Sequence, residues 1–268
     1  MFFYLRLAWT ALRSLDSHFL RSLLATLGVL IGVASVVACM SILEGFSTDI
    51  ARRFRSLGSN LLYVTPEYAY IEGRPVGVTQ TLTLDDVRLL KRELGSEIDT
   101  VAPEAVGTAM VKYFQNSFPN ATVIATSEEY FEMHAFEAQA GQVLTRTHAD
   151  DEGTSVVCLG AKIAEELFGG MDPVGQVVKI GEKAFRVLGV MEKKGSLGFL
   201  DADEAVYMPV RAGLKRFFNR KWLNRITIGV ADPKRIDEVQ VQIKRLLRNA
   251  HNIRAGQPDD FRVYNQQE

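Results

Sequence analysis

The sequence predicts an α+β protein: one N-terminal transmembrane helix with a helical stalk, then a polar domain in which two strand–helix–strand units enclose a β-rich insert. Three observations predict it. Residues 23–43 form an uncharged apolar run. Two later segments each place a capped amphipathic helix between short apolar strand patterns. The stretch between those segments consists of short apolar runs broken by Gly, Pro and acidic residues, which suits a mainly β insert. Averaged over 268 residues, a formal net charge of -1 and 47% hydrophobic content would describe an ordinary soluble protein of one or two domains. The 31 basic against 32 acidic residues exclude a protein held to nucleic acid or acidic lipid by bulk charge. The average hides a division: Arg6, Arg13 and Arg21 against Asp16 give residues 1–43 a balance of +2, which leaves -3 on residues 44–268.

Residues 23–43 read LLATLGVLIGVASVVACMSIL, 21 residues between Arg21 and Glu44 that carry no charge. At about 1.5 Å per residue they reach about 32 Å, close to a bilayer core of about 30 Å. A buried core helix and a cleaved signal peptide are the rivals. The second fits poorly, because 22 residues rich in Leu, Phe and Trp precede a run longer than a usual apolar signal region of about 7 to 15 residues. A lipoprotein signal is sharper, since Val36, Val37 and Ala38 lead into Cys39 as into a lipidated cysteine. Spacing supplies a different account of Cys39: Ala25, Gly28, Gly32, Ser35 and Cys39 recur at three- and four-residue intervals along one helical face. In lipid a small-residue face lets another helix approach, so these five residues form the expected packing face. Arg6, Arg13 and Arg21 before the span nearly balance Arg52, Arg53 and Arg55 after it, but Arg21 abuts the run. The N-terminus is therefore expected in the cytoplasm and the large domain outside. Residues 1–22 place Phe2, Leu5, Trp9, Leu12 and Phe19 broadly on one side, as a helix in the membrane interface or an extension of the span.

Residues 44–60 are expected as a helical stalk striped by Phe46, Ile50, Phe54 and Leu57, with Gly58 placed to stop it. A strand follows at 61–65, closed by Pro66, and then a loop over 67–80. Thr83 and Asp86 form a capping box for a helix whose buried stripe is Leu84, Val87, Leu90 and Leu94, and strands are expected at 108–114 and 122–126. The insert, 136–223, has strand patterns at 155–159, 176–180, 185–190 and 205–208 and a short helix at 161–168. The first pattern then returns: a strand at 226–230, Asp232 as cap with Pro233 at the first helical position, a stripe of Ile236, Val239, Ile243, Leu246 and Leu247, and a strand at 261–264. The core domain, 61–268, thus has a discontinuous part, 61–135 and 224–268, around the insert.

Catalytic motifs are lacking. There is no G-x-x-x-x-G-K-[ST] loop, no G-x-S-x-G elbow, no H-E-x-x-H and no paired-Cys motif, so no catalytic, cofactor-binding or metal residue is assigned and no enzyme activity is expected of the chain itself. His18, His134, His148 and His251 are far apart in sequence. The acidic clusters at 148–152 (HADDE) and 201–204 (DADE) lack the Gly and distal Glu of a calcium loop and are expected as solvated turns. Cys39 and Cys158 are expected as buried small apolar residues, not a disulfide.

Five passages resemble one family in order and spacing: LRSLLATLGVLIGVASVVA at 20–38, LGSNLLYVTP at 57–66, LTLDDVRLL at 82–90, IAEELFGGMDPVGQVVKIGEKAFRVLGVMEKKG at 163–195 and PDDFRVYN at 258–265. The chain resembles, over nearly its whole length, the N-terminal half of a MacB-type or FtsX-like ABC transporter permease with its periplasmic core domain. The resemblance implies a split porter-like part enclosing a sabre-like insert, and a homodimer in the bacterial inner membrane. It also implies a separate cytoplasmic ATPase subunit carrying ATP and Mg, with no cofactor on this chain, and in some members a periplasmic adaptor. Such permeases turn ATP hydrolysis into movement of the outer domains, for export, lipoprotein release or envelope mechanotransmission. Members carry about three further membrane helices after the core domain, whereas residues 44–268 hold no second long apolar run. The expectation is a truncated or split permease, or a piece cut before the second span, whose partners include the remaining permease helices and membrane lipid but no nucleic acid. A single-pass anchored binding or scaffold protein, or a lipoprotein anchored at Cys39, is the alternative; an envelope hydrolase is disfavoured by the absent motifs.

Overall fold

A computed structural model of the chain describes residues 19–56, 60–71, 74–150, 155–197 and 200–265. The chain divides into two compact units, residues 1–56 and 57–268. In the first, α1 (Phe19–Ser56) is a 38-residue helix. It takes in all of 23–43 without interruption and continues through positions 46, 50 and 54. Leu57, Gly58 and the N-terminal segment 1–18 lie outside the described residues.

The second unit begins with β1 (Leu61–Pro66), β2 (Tyr68–Ile71), β3 (Arg74–Val78), α2 (Leu84–Leu94), β4 (Ile98–Tyr113) and β5 (Asn116–Thr126). It continues through α3 (Glu128–Met133), β6 (Ala138–Gly141), α4 (Arg146–Asp150), β7 (Val156–Leu159), α5 (Ala161–Phe168), β8 (Val177–Ile180) and β9 (Lys183–Met191). Last come β10 (Ser196–Leu197), β11 (Leu200–Asp201), β12 (Ala205–Pro209), α6 (Val210–Ala212) with a π turn at Gly213–Phe218, β13 (Arg225–Val230), α7 (Ile236–Ala250) and β14 (Phe261–Asn265).

Ten strands form one sheet in the order β14-β1-β13-β4-β5-β12-β7-β9-β6, with β8 pairing β4 and β9. Its pairs are antiparallel except β5–β12 and β7–β9. The 16-residue β4 joins its two halves: residues from Ile98 to Glu104 pair with β13, and those from Ala105 to Tyr113 pair with β5. The sheet therefore runs without a break across the expected boundaries at 135/136 and 223/224.

The core follows from sequence patterns. α2 buries Val87, Leu90 and Leu94 and α7 buries Val239, Ile243 and Leu247, in the same apolar cluster as Leu62 and Val64 of β1 and Ile226 and Ile228 of β13. Helix α5 adds Ile163, Leu167 and Phe168 to that cluster. Along β12, Val206 and Met208 enter it while Ala205 and Tyr207 enter a second cluster with Tyr130, Phe131 and Phe136. Both faces of this strand are buried, so it reads as a continuous apolar run and not as an alternation. The Thr83–Asp86 capping box is formed: the Thr83 N–H donates to Asp86 Oδ2 at 2.7 Å, and the Asp85 N–H donates to Thr83 Oγ1 at 3.3 Å. Asp232 caps a single 3₁₀ turn, Pro233–Arg235, that leads into α7.

Two segments differ from expectation. The loop expected over 67–80 contains the β2–β3 hairpin, a two-stranded ribbon apart from the main sheet. Gly73, Pro75 and Gly77 mask its Tyr, Ile and Val content, and the Tyr70 pairing shifts register by a bulge. The strand expected at 108–114 begins ten residues earlier, at Ile98, because Pro103 and Gly107 read as breakers. Pro103 sits in the half of β4 paired only to β13, where a missing N–H is tolerated.

Candidate functional site

From residue 23 to residue 43, helix α1 carries no charge on any side. Over Leu23–Met40, 18 residues or about 27 Å of helix, none of the window is buried among the described residues. Leu24, Val29, Leu30, Val33 and Val36 are all more than half exposed although they point in different directions around the axis. In water such a helix would be unstable, which makes it a candidate membrane span. Ala25, Gly28, Gly32, Ser35 and Cys39 lie on it and are exposed. A Cβ at Gly28 or Gly32 would meet nothing within 4 Å, so no packing among the described residues requires either glycine. The Ser35 hydroxyl donates to the Ile31 carbonyl at 2.8 Å, which satisfies it without water. Cys39 is a free, exposed thiol, not the buried residue expected, since none of the described residues of its own unit covers it. Of the expected stalk residues, Phe46, Ile50 and Phe54 are helical, and Leu57 lies outside the described residues.

In the second unit, polar side chains staple the sheet where β4 changes partner. Glu104, 3% exposed, accepts a hydrogen bond from the Thr227 hydroxyl and lies 3.7 Å from Arg225 Nη1. Its carbonyl accepts the Asn224 N–H at 2.8 Å, and the Val106 N–H donates to Asn224 Oδ1 at 2.7 Å. Arg220 donates to the Val106 carbonyl at 3.2 Å and to the same Asn224 oxygen, while its guanidinium stacks on Trp222 at 3.6 Å. Burial draws the Arg220 pKa down. These side chains occupy backbone groups that strand pairing leaves unpaired at the switch.

A second staple joins α2, α7 and the approach to β14. His251, just past α7, places Nε2 3.3 Å from Asp86 Oδ1 and Nδ1 2.9 Å from Asp260 Oδ1. The Asp86 hydrogen bond, with that of Asp260, raises its pKa to about 9 against the opposing effect of burial. Burial alone would raise Asp86; the hydrogen bonds from His251 and Thr83 outweigh it and hold the carboxyl below its usual range.

The remaining candidates resolve as structural. The cluster at 201–204 is not solvated throughout: Asp203, 5% exposed, accepts the Lys194 N–H at 2.9 Å and the Gly195 N–H at 3.0 Å and so closes the β10–β11 excursion, while Glu204 pairs with Lys162. In the cluster at 148–152, His148 Nδ1 lies 2.7 Å from Thr145 Oγ1, and residues 151–152 lie outside the described residues. His134 stacks on Tyr130 and burial holds its pKa low. Cys158 is buried in β7, which pushes its thiol to about 12 and makes it inert near neutrality. Among the described residues no three His, Cys, Asp or Glu side chains converge as a metal would require. Asn224, Arg220, Asp203 and the His251 staple were not legible in the sequence, because no spacing rule links residues as far apart as the 118 between Asn224 and Val106 or the 165 between His251 and Asp86.

An exposed apolar helix together with a mixed α/β domain held by buried polar staples defines a class, the membrane-anchored α/β domain. The chain belongs to the MacB-like periplasmic core domain family, whose pattern matches residues 22–246 and so takes in the apolar helix as well as the domain. A macrolide export ATP-binding/permease protein MacB from Bdellovibrio bacteriovorus is 32% identical over 256 residues, 94% of this chain and 39% of that protein. Its counterpart from Azoarcus sp. is 34% identical over 259 residues, 96% of this chain and 38% of that protein. The chain thus spans well under half the length of these relatives. Among solved structures, the periplasmic region of MacB from Actinobacillus actinomycetemcomitans superposes with a TM-score of 0.67 at 22% identity, over 80% of this chain and 92% of that one. The extracellular domain of the noncanonic ABC-type transporter YknZ from Gram-positive bacteria gives 0.62 at 21% identity, over 77% of this chain and 100% of that one. Both likenesses speak to the fold.

Proposed function

We propose that this chain is the N-terminal part of an ABC transporter permease subunit, anchored in the bacterial inner membrane by α1 with its N-terminus in the cytoplasm and its core domain in the periplasm. One observation supports this above others: the family match covers helix and core domain together, in one order, over residues 22–246. In this reading ATP and Mg are bound by a separate cytoplasmic ATPase, and the chain contributes no catalytic group. The 61–135 and 224–268 segments act as the porter-like part and 136–223 as the sabre-like insert, moved by the stalk at 44–60 and able to receive a periplasmic adaptor. The face of Ala25, Gly28, Gly32, Ser35 and Cys39 packs against a second copy of the chain or against further permease helices.

Cys39 makes the dimer testable. In a two-fold dimer of parallel spans the same face meets itself, so mild oxidation of membranes containing the full chain should give a disulfide-linked dimer. Cys39→Ser should abolish that dimer, and Gly32→Leu should reduce it severalfold by holding the helices apart. A reporter fused after Glu268 should be active outside the cytoplasm, and the chain should be retained with the ATP-binding subunit co-expressed from a neighbouring gene. Absence of ATPase association would leave a single-pass anchored binding or scaffold protein. Palmitate labelling lost in Cys39→Ser would mean a lipoprotein instead.

A further inference from the structure

The core domain carries a cleft of about 140 Å³ where α2, α3, α4 and α6 meet. Arg88 and Lys91 reach it from α2, Arg146 from α4 and Arg211 from α6, against the single lining carboxylate of Glu129. That carboxylate is already engaged: Lys91 Nζ lies 2.8 Å from Glu129 Oε1 and Arg146 Nη2 3.6 Å from the same oxygen. Glu128 accepts the Arg146 backbone N–H at 2.8 Å, and Arg88 also leans on Asp85. The cleft floor adds an independent feature. Ser127 lines it and is 8% exposed, yet its hydroxyl makes no hydrogen bond, and the adjacent Thr126 hydroxyl is likewise buried and unbonded. The Ser127 side chain also helps to hold Glu129 charged, less than Lys91 does. A buried hydroxyl without a partner is uncommon and costly, and here it borders a space lined by four cations.

We propose that this cleft binds a single phosphate group, as a free phosphate or as the headgroup of a phospholipid. Two arginines from different helices can each present a planar donor fork to a tetrahedral oxyanion, Lys91 adds a point charge, and the Ser127 hydroxyl donates to an oxygen that enters the floor. The volume admits one such group and not a large ligand. Arg146, whose side chain is 74% exposed, can exchange its 3.6 Å contact with Glu129 for the phosphate.

Calorimetric titration of the full chain in dodecyl maltoside, a phosphate-free detergent, tests this at constant ionic strength with three probes: inorganic phosphate, dihexanoylphosphatidylglycerol and chloride. Saturable one-to-one binding of phosphate is expected if the source is soluble, and of the short-chain lipid alone if the headgroup is what the site receives. Arg146→Gln/Arg211→Gln should weaken whichever binds by about tenfold or more, equivalent to about 1.4 kcal/mol. Ser127→Ala, which leaves the charge untouched, should weaken it about threefold. Equal heats from chloride, no saturation with either phosphate probe, or binding unchanged in both variants would overturn the proposal.

Discussion

His251 ties its stability contribution to proton binding. Because Asp86 and Asp260 raise its pKa from 6.5 to about 9, the folded state holds a proton that the unfolded chain would release sooner. The stabilisation is complete below pH 6.5 and disappears as pH rises through about 9. Asp86 works in the opposite direction: its depressed pKa stabilises above the ordinary 3.8, and that contribution is lost as pH falls below it. Arg88 and Arg92 line the cleft beside His251. Thermal melts across pH 6 to 10 should therefore show the protein losing about 2 kcal/mol on the alkaline side, while His251→Gln starts lower by a similar amount and is flat over the same window. A parallel decline in both proteins would show that the staple is not the titrating group. At this scale sequence and structure agree only where partners are close in the chain. The Thr83–Asp86 box obeys a three-residue rule. The partners of His251 and Asn224 are brought together only when the sheet forms.

Elements were more legible than residues. Helix α5 occupies 161–168 as expected, and the strands at 156–159, 177–180, 205–209 and 225–230 fall within one or two residues of their apolar runs. Short buried strands bounded by turn residues carry their own punctuation. The β2–β3 hairpin and the first half of β4 do not, because Gly and Pro sit inside them. Glycine also shows why composition misleads. At Gly32 a Cβ would meet open space, whereas at Gly189 of β9 it would come within 2.4 Å of the Gln142 carbonyl and 2.8 Å of the Ala140 carbonyl. Backbone cannot step aside as a side chain can. Gly189→Ala should therefore cost about 1 to 3 kcal/mol in denaturant melts, loosening β6 from β9, while Gly32→Ala should leave the stability of the core domain unchanged. Equal tolerance at the two sites would show that the sheet edge relaxes freely.

Across the whole molecule, the partition into residues 1–56 and 57–268 has an experimental consequence. The second unit contains both apolar clusters, the ten-stranded sheet and the polar staples. Produced without residues 1–56, it should remain in solution without detergent and unfold in one transition, because both apolar clusters lie within it. Aggregation of that fragment, or a melt in two separated steps, would show either that α1 shields part of the domain or that the sheet halves fold apart. The overall class was legible because one uncharged run and two repeated helix patterns set it. The continuity of the sheet was not, because it depends on a single strand crossing between neighbours.

That strand also has a mechanical meaning. At about 3.3 Å per residue, β4 runs roughly 50 Å, gripped first by β13 and then by β5. A tension applied along it loads both ladders in shear, so their bonds resist together, unlike those of a hairpin peeled from one end. Asn224 and Arg220 bridge the point of handover between the ladders, where a tie rod would otherwise have its weakest cross-section.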